Sequence, residues 1–142
     1  MNVKLVYCTR TNHSKKIADS IAAAVQIPAE NVADKPALEN VDLLFLVGGI
    51  YSGDSLPGMI AFVESLDQNK VRRVALVTSC VSYKMPQKAV RNLLLNKGIV
   101  VVDEFMCKGS FLIFGLRHPN QTDFDNAAQY AKGIMENMSG MK

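Results

Sequence analysis

Cys8-Thr9-Arg10-Thr11-Asn12-His13-Ser14 joins two stretches whose apolar spacing differs, and that change of period decides the architecture. On its amino side Val3, Leu5, Val6 and Tyr7 form a short β-branched and aromatic run of the kind that makes a buried strand. On its carboxyl side Ile17, Ala18, Ile21, Ala22 and Val25 recur at helical spacing, so a helix is predicted to begin near Asn12 to Ser14. The turn therefore offers hydroxyls, an amide and unsatisfied backbone N–H groups at the positive end of a helix. Such a terminus attracts anions, phosphate above all. Ser, Thr and Asn are also ordinary cap and turn residues, so the reading needs support from the rest of the chain.

Outward from that turn the strand-then-helix order repeats. Asp42 to Gly49 carries Leu43, Leu44, Phe45, Leu46 and Val47 without interruption, the pattern of a strand covered on both faces in a parallel sheet. Pro57 sits in the first turn of the next helix, with Ile60, Val63 and Leu66 inward. Val74 to Val77 form another buried strand, and a helix with Pro86 at its start turns Ala89, Val90, Leu93 and Leu94 inward until Gly98 ends it. Ile99 to Val102 with Phe105 predict a longer, irregular last strand. Thr122 or Asp123 is read as the cap of a final helix carrying Phe124, Ala127, Ala128, Ala131, Ile134 and Met135. Between the first helix and Asp42, after Pro28, a short strand is placed over Asn31 to Lys35. About five βα units with right-handed crossovers predict a doubly wound α/β sheet of five parallel strands in order 2-1-3-4-5, with helices on both faces. Residues 1–142 are read as a single domain.

Ligands of such sheets bind beyond the carboxyl ends of the strands, where the winding reverses. Three turns converge there: residues 9–14, 49–56 and 78–84. The latter two each carry one tyrosine, Tyr51 and Tyr83. Two aromatics on facing loops can sandwich a flat ring while the first loop holds its phosphate tail.

Composition narrows the field. A net charge of +3 with dispersed Lys and Arg gives no argument for nucleic acid. No apolar run reaches the roughly 20 residues of a spanning helix, and no export signal is evident at the amino terminus, so a cytoplasmic protein is expected. Three cysteines without a CxxC pair suggest reduced thiols rather than a disulfide or zinc site. Cys8, ahead of an anion-binding turn, raises a rival reading as a nucleophile. Ser14 stands where the C-x5-R clamp of low-molecular-weight phosphatases has arginine. A phosphocysteine of the phosphotransferase B-subunit type would not need the two aromatic loops. Acidic residues at the end of the first strand, GxGxxG and GxxxxGK[ST] are all missing, which excludes receivers and the common nucleotide motifs.

Thr9 to Ser14 resembles the flavodoxin phosphate loop, [T/S]-x-T-G-x-[T/S]. Gly49-Ile50-Tyr51-Ser52-Gly53-Asp54 is similar to the loop over one flavin face in short-chain flavodoxins, and Thr78-Ser79-Cys80-Val81-Ser82-Tyr83 to the loop over the other. Phe105 to Gly109, His118-Pro119-Asn120 and Asp123 resemble the family's carboxyl-terminal part. The resemblance implies non-covalent FMN, cycling between oxidised, semiquinone and hydroquinone forms for redox partner proteins, a reductase and an acceptor. It implies that Thr9, Arg10, Thr11, Asn12, His13 and Ser14 hold the phosphate. Residues Ile50 to Asp54 and Thr78 to Tyr83 would flank the ring, with the Gly53 peptide facing its central nitrogen. A monomer or weak dimer is expected, with an FMN-dependent NAD(P)H:quinone or flavin oxidoreductase as the alternative. Two departures stand out: Asn12 replaces the motif's glycine, and the chain is net positive where electron-carrying flavodoxins are acidic. With Arg10, Lys15, Lys16 and Lys84 near the site, the second reduction step is expected to be less negative than in acidic carriers.

Overall fold

The computed structural model describes residues 2–8, 13–51, 54–55, 57–80, 88–108 and 121–139. In chain order these form β1 (Val3–Tyr7), α1 (His13–Val25), β2 (Ala29–Asn31), a 3-10 turn (Val32–Asp34), β3 (Leu43–Tyr51), β4 (Asp54–Ser55), α2 (Pro57–Glu64), β5 (Arg73–Cys80), α3 (Lys88–Asn96), β6 (Val100–Lys108) and α4 (Gln121–Ser139). The parallel strands lie in the order β2-β1-β3-β5-β6, which is second-first-third-fourth-fifth once the two-residue β4 is set aside. β4 pairs antiparallel with the tip of β3, Tyr51 opposite Asp54.

Alternation along the central strands sorts the core into two layers. Leu5, Leu43, Phe45, Val47, Ala75 and Val77 face α1 and α4, meeting Ile17, Ile21, Ala127 and Ala131. Val6, Leu44, Leu46, Val74 and Leu76 face α2 and α3, meeting Met59, Val63, Val90 and Leu94. The strands read as continuous apolar runs because both faces are covered.

Several boundaries differ from the sequence reading. The second strand is Ala29–Asn31; of the stretch Asn31 to Lys35 expected to form it only Asn31 is strand, and Val32–Asp34 turn into the 3-10 helix. There Asn31 Oδ1 accepts from the Ala33 N–H at 2.9 Å, and Lys35 closes the turn at φ 50°. The local side-chain bond outcompetes strand pairing. β3 continues through both glycines to Tyr51, and β5 through Thr78 and Ser79 to Cys80, so the loops predicted to start at 49 and 78 start later. α4 begins at Gln121, which puts Thr122 and Asp123 inside its first turn rather than at its cap. Pro86 lies outside the described residues. Met59, missed in the α2 pattern, is buried while Ile60 is only partly so.

Gly98 ends α3 as expected. Its φ is +73°, its N–H donates to Leu95 O, and Ile99 N donates to Leu94 O. A Cβ there would sit 1.7 Å from Gln68 Nε2, which donates to Gly98 O, so glycine is needed for space as well as for backbone sign. β6 is irregular through a bulge: Val74 pairs with Val101 but Ala75 with Asp103. Val102 is thereby inserted toward the α1–α4 layer.

Candidate site at the carboxyl rim of the sheet

The parallel register builds a step at the place where the winding reverses. Tyr7, the last residue of β1, pairs with Val47, and Val47 pairs with Val77. The Cys8 N–H makes one more bond, to Val47 O at 3.0 Å. Past that level β3 runs on to Tyr51 and β5 to Cys80, with Gly48 opposite Thr78 and Gly49 opposite Ser79. At roughly 3.3 Å per residue the two tips project about 10–13 Å beyond the end of β1. The β1–β3 register ends at Val47, and the tip of β3 pairs instead with β4. The amino end of α1 belongs to the chain segment that leaves β1 at the foot of this step.

Ser14, the second residue of α1, is wholly buried, and its Oγ has no hydrogen-bond partner among the described residues. An unsatisfied buried hydroxyl costs about 1–3 kcal/mol. It lies in the first turn, where backbone N–H groups also lack intrahelical acceptors. That turn contains no acidic residue. Lys15 and Lys16 are exposed beside it. Lys15 Nζ pairs with Asp19 Oδ2 at 2.9 Å, and this hydrogen bond, with the charge of the carboxylate, raises the lysine's pKa. A buried orphan hydroxyl beside the N–H groups of a helix's first turn, with no carboxylate in that turn, forms a donor set that fits a phosphate.

The other sequence candidates fall into two groups. The backbones of His13, Ile50, Tyr51, Asp54, Ser79 and Cys80 are placed at the helix start and at the tips of β3, β4 and β5, around the step. Thr78 is wholly buried in β5, between Gly48 and Met106 of the neighbouring strands. Thr9, Arg10, Thr11, Asn12, Ser52, Gly53, Val81, Ser82 and Tyr83 lie outside the described residues, as does Lys84.

Cys8 is free and buried, with its Sγ 3.5 Å from the place a side chain on Gly58 would occupy. Burial pushes the thiol up, and the Met59 backbone N–H offsets this only in part. A nucleophile needs the opposite shift, so the geometry weighs against phosphocysteine chemistry.

Two features had no local signal in the sequence. Phe105 and Tyr130 stack with ring centroids 4.8 Å apart, joining β6 to α4. Tyr130 Oη is buried without a partner, and desolvation, with Asp103 and Glu104 nearby, raises its pKa. Glu104 Oε2 meets Arg91 Nη2 at 3.0 Å across β6 and α3, the carboxylate side chain only 8% exposed. Both pairings join residues far apart in the chain.

The family model for the Flavodoxin domain matches residues 4–112. The chain belongs to the flavodoxin domain family. An uncharacterized protein of Methanocaldococcus jannaschii is 31% identical over 140 residues, covering 88% of this chain and 91% of its own length. Among solved structures, a flavodoxin from the domain Archaea superposes with a TM-score of 0.68 at 13% identity, over 98% of this chain and 99% of its own. Oxidised Flavodoxin 2 from Bacillus cereus gives 0.68 at 14% identity, over 96% and 99%. The flavodoxin-like fold, five parallel strands with helices on both faces, matches these structures. Among the described residues of this flavodoxin-domain chain, no helix is long and apolar enough to cross a membrane.

Proposed function

We propose that this flavodoxin-domain protein binds FMN at the step and passes electrons between partner proteins. The observation that carries the reading is the Ser14 hydroxyl, wholly buried without a partner in the first turn of α1. A phosphate oxygen supplies the acceptor that this hydroxyl and the adjoining N–H groups lack, and the helix dipole favours the charge. Flavin supplies one- and two-electron chemistry when bound, and the protein supplies position and field.

In this assignment the chain's own residues have distinct tasks. Ser14 and the α1 N–H groups anchor the phosphate, with Thr9, Arg10, Thr11, Asn12 and His13 completing the loop. The tips of β3 and β5 rise beside the ring, with Ile50 to Asp54 on one side and Thr78 to Tyr83 on the other. Thr78 acts by packing beneath its loop, since its side chain is fully buried. Lys16 beside the anchor and the net charge of +3 would favour added negative charge on a bound flavin more than the surface of acidic carriers does, Lys15 being paired with Asp19.

Titrating the full chain with FMN and then adding NADPH tests both halves of the reading. Binding is expected to quench flavin fluorescence at micromolar protein, and the yellow colour is expected to persist with NADPH until a reductase is added. Rapid bleaching by NADPH alone would instead make the protein an FMN-dependent oxidoreductase, and unquenched fluorescence would remove the flavin altogether.

A further inference from the structure

The connection from β2 to β3 has only the single 3-10 turn Val32–Asp34, where the other crossovers each contain an α-helix. On that side of the sheet a half-open cavity of about 600 Å³ remains between the turn and α2. Its walls are apolar, with Val32, Pro36, Gly58, Ala61 and Phe62 among them, and Cys8 lies in its lining. Val32 and Cys8 are buried and Ala61 is exposed, so the cavity deepens from the surface of α2 toward the sheet. It falls within the size range of small-ligand sites.

The polar side chains lining this cavity are Lys35, Asn31 and Ser65. Lys35 is exposed, and its ammonium has no ion pair among the described residues. Its backbone is held in place at φ 50° by its N–H bond to Val32 O at 3.0 Å. Asn31, also in the lining, uses its Oδ1 on the Ala33 N–H, so its NH2 is the part of the side chain left to donate. The Ser65 hydroxyl donates to Phe62 O at 2.6 Å. No carboxylate is among the lining residues. An apolar hollow rimmed by an unpaired ammonium and an amide NH2 matches a ligand with an apolar body and one anionic head.

We propose that this cavity binds small apolar monocarboxylates, the carboxylate at Lys35 and Asn31 and the apolar body against Phe62, Gly58 and Cys8. The cavity opens between α2 and the 3-10 turn on the α2–α3 side of the sheet, and it shares only Cys8 with the foot of the step.

The test is calorimetric titration of the full chain with 4-phenylbutyrate, beside its neutral counterpart 4-phenylbutan-1-ol, with and without saturating FMN. Alkylation of Cys8 by N-ethylmaleimide is followed in parallel, by mass spectrometry of the Cys8 peptide. The acid is expected to bind about tenfold more tightly than the alcohol, and Lys35→Gln to abolish that preference. Saturating acid is expected to slow Cys8 alkylation by about fivefold or more, following its occupancy. Ala61→Leu, a substitution on the exposed side of α2, is expected to weaken both ligands. Equal affinity for acid and alcohol overturns the proposal, as does an unprotected Cys8. Binding that disappears when FMN is added places the acid in the flavin site and equally overturns it.

Discussion

The two faces of the sheet are closed to different degrees. On one, the 13-residue α1 and the 19-residue α4 pack on each other and seal Phe45, Leu43 and Val77 completely. On the other, α2 and α3 span eight and nine residues, and a three-residue turn stands in for a further helix. The first face carries the helix whose amino end meets the proposed phosphate. The second leaves a cavity beside Cys8. A helix terminus that must hold an anion in one geometry benefits from being anchored in a dense layer, whereas a shortened crossover leaves apolar surface open to other molecules.

The largest effect expected from this contrast is on stability. Phe45→Ala removes a fully buried ring from the sealed layer and should cost about 3–5 kcal/mol in denaturant unfolding. Phe62→Ala, at the wall of the open cavity, should cost about 1 kcal/mol or less because that ring is only partly covered. Similar losses at the two sites would break the comparison.

Between these lies the Arg91–Glu104 pair on the open face. Removing the guanidinium takes one charged partner from a carboxylate side chain that is only 8% exposed, though the arginine itself is 45% exposed and water screens part of the loss. Arg91→Ala should destabilise by about 1–2 kcal/mol, and adding Glu104→Gln should recover part of it. No recovery in the double variant would mean that the arginine acts by packing alone.

A smaller, pH-confined effect belongs to the sealed face. Tyr130 holds its proton more tightly folded than unfolded, so its contribution to stability is complete below about pH 10 and is lost as pH rises above that value. Tyr130→Phe should flatten the alkaline decline of stability while leaving neutral stability the same or slightly higher, since it also removes an orphan hydroxyl. An unchanged alkaline slope would show that the phenol is solvated.

How much of this was legible beforehand follows from how local each signal is. Leu43 to Val47 and Val74 to Val77 announce buried strands because a two-faced core writes an unbroken apolar run. Ile17, Ile21, Ala127 and Ala131 announce helices by spacing. The strand tips Ile50–Tyr51 and Thr78–Cys80 were read as loops because they follow a glycine pair or have turn composition; pairing with neighbouring strands, not propensity, keeps them extended. Val32 to Asp34 looked like strand, but the Asn31 side chain captures the Ala33 N–H and turns them into the 3-10 helix. The Phe105–Tyr130 stack and the Arg91–Glu104 pair had no sequence signature, being contacts made by tertiary packing. At the candidate site the motif singled out Ser14 but not its burial. That burial, with no partner for the oxygen, is what turns a cap-like residue into an argument for an anion.

The measurement closest to the central claim compares Ser14→Ala with the parent protein, reading FMN affinity and apo-protein unfolding on the same samples. The account predicts opposite signs. FMN binding should weaken by about ten- to a hundredfold with loss of a charge-assisted hydrogen bond, while the FMN-free protein keeps its stability or gains up to about 1 kcal/mol. An apo protein destabilised by the substitution, with unchanged FMN affinity, would contradict it and return Ser14 to an ordinary structural role.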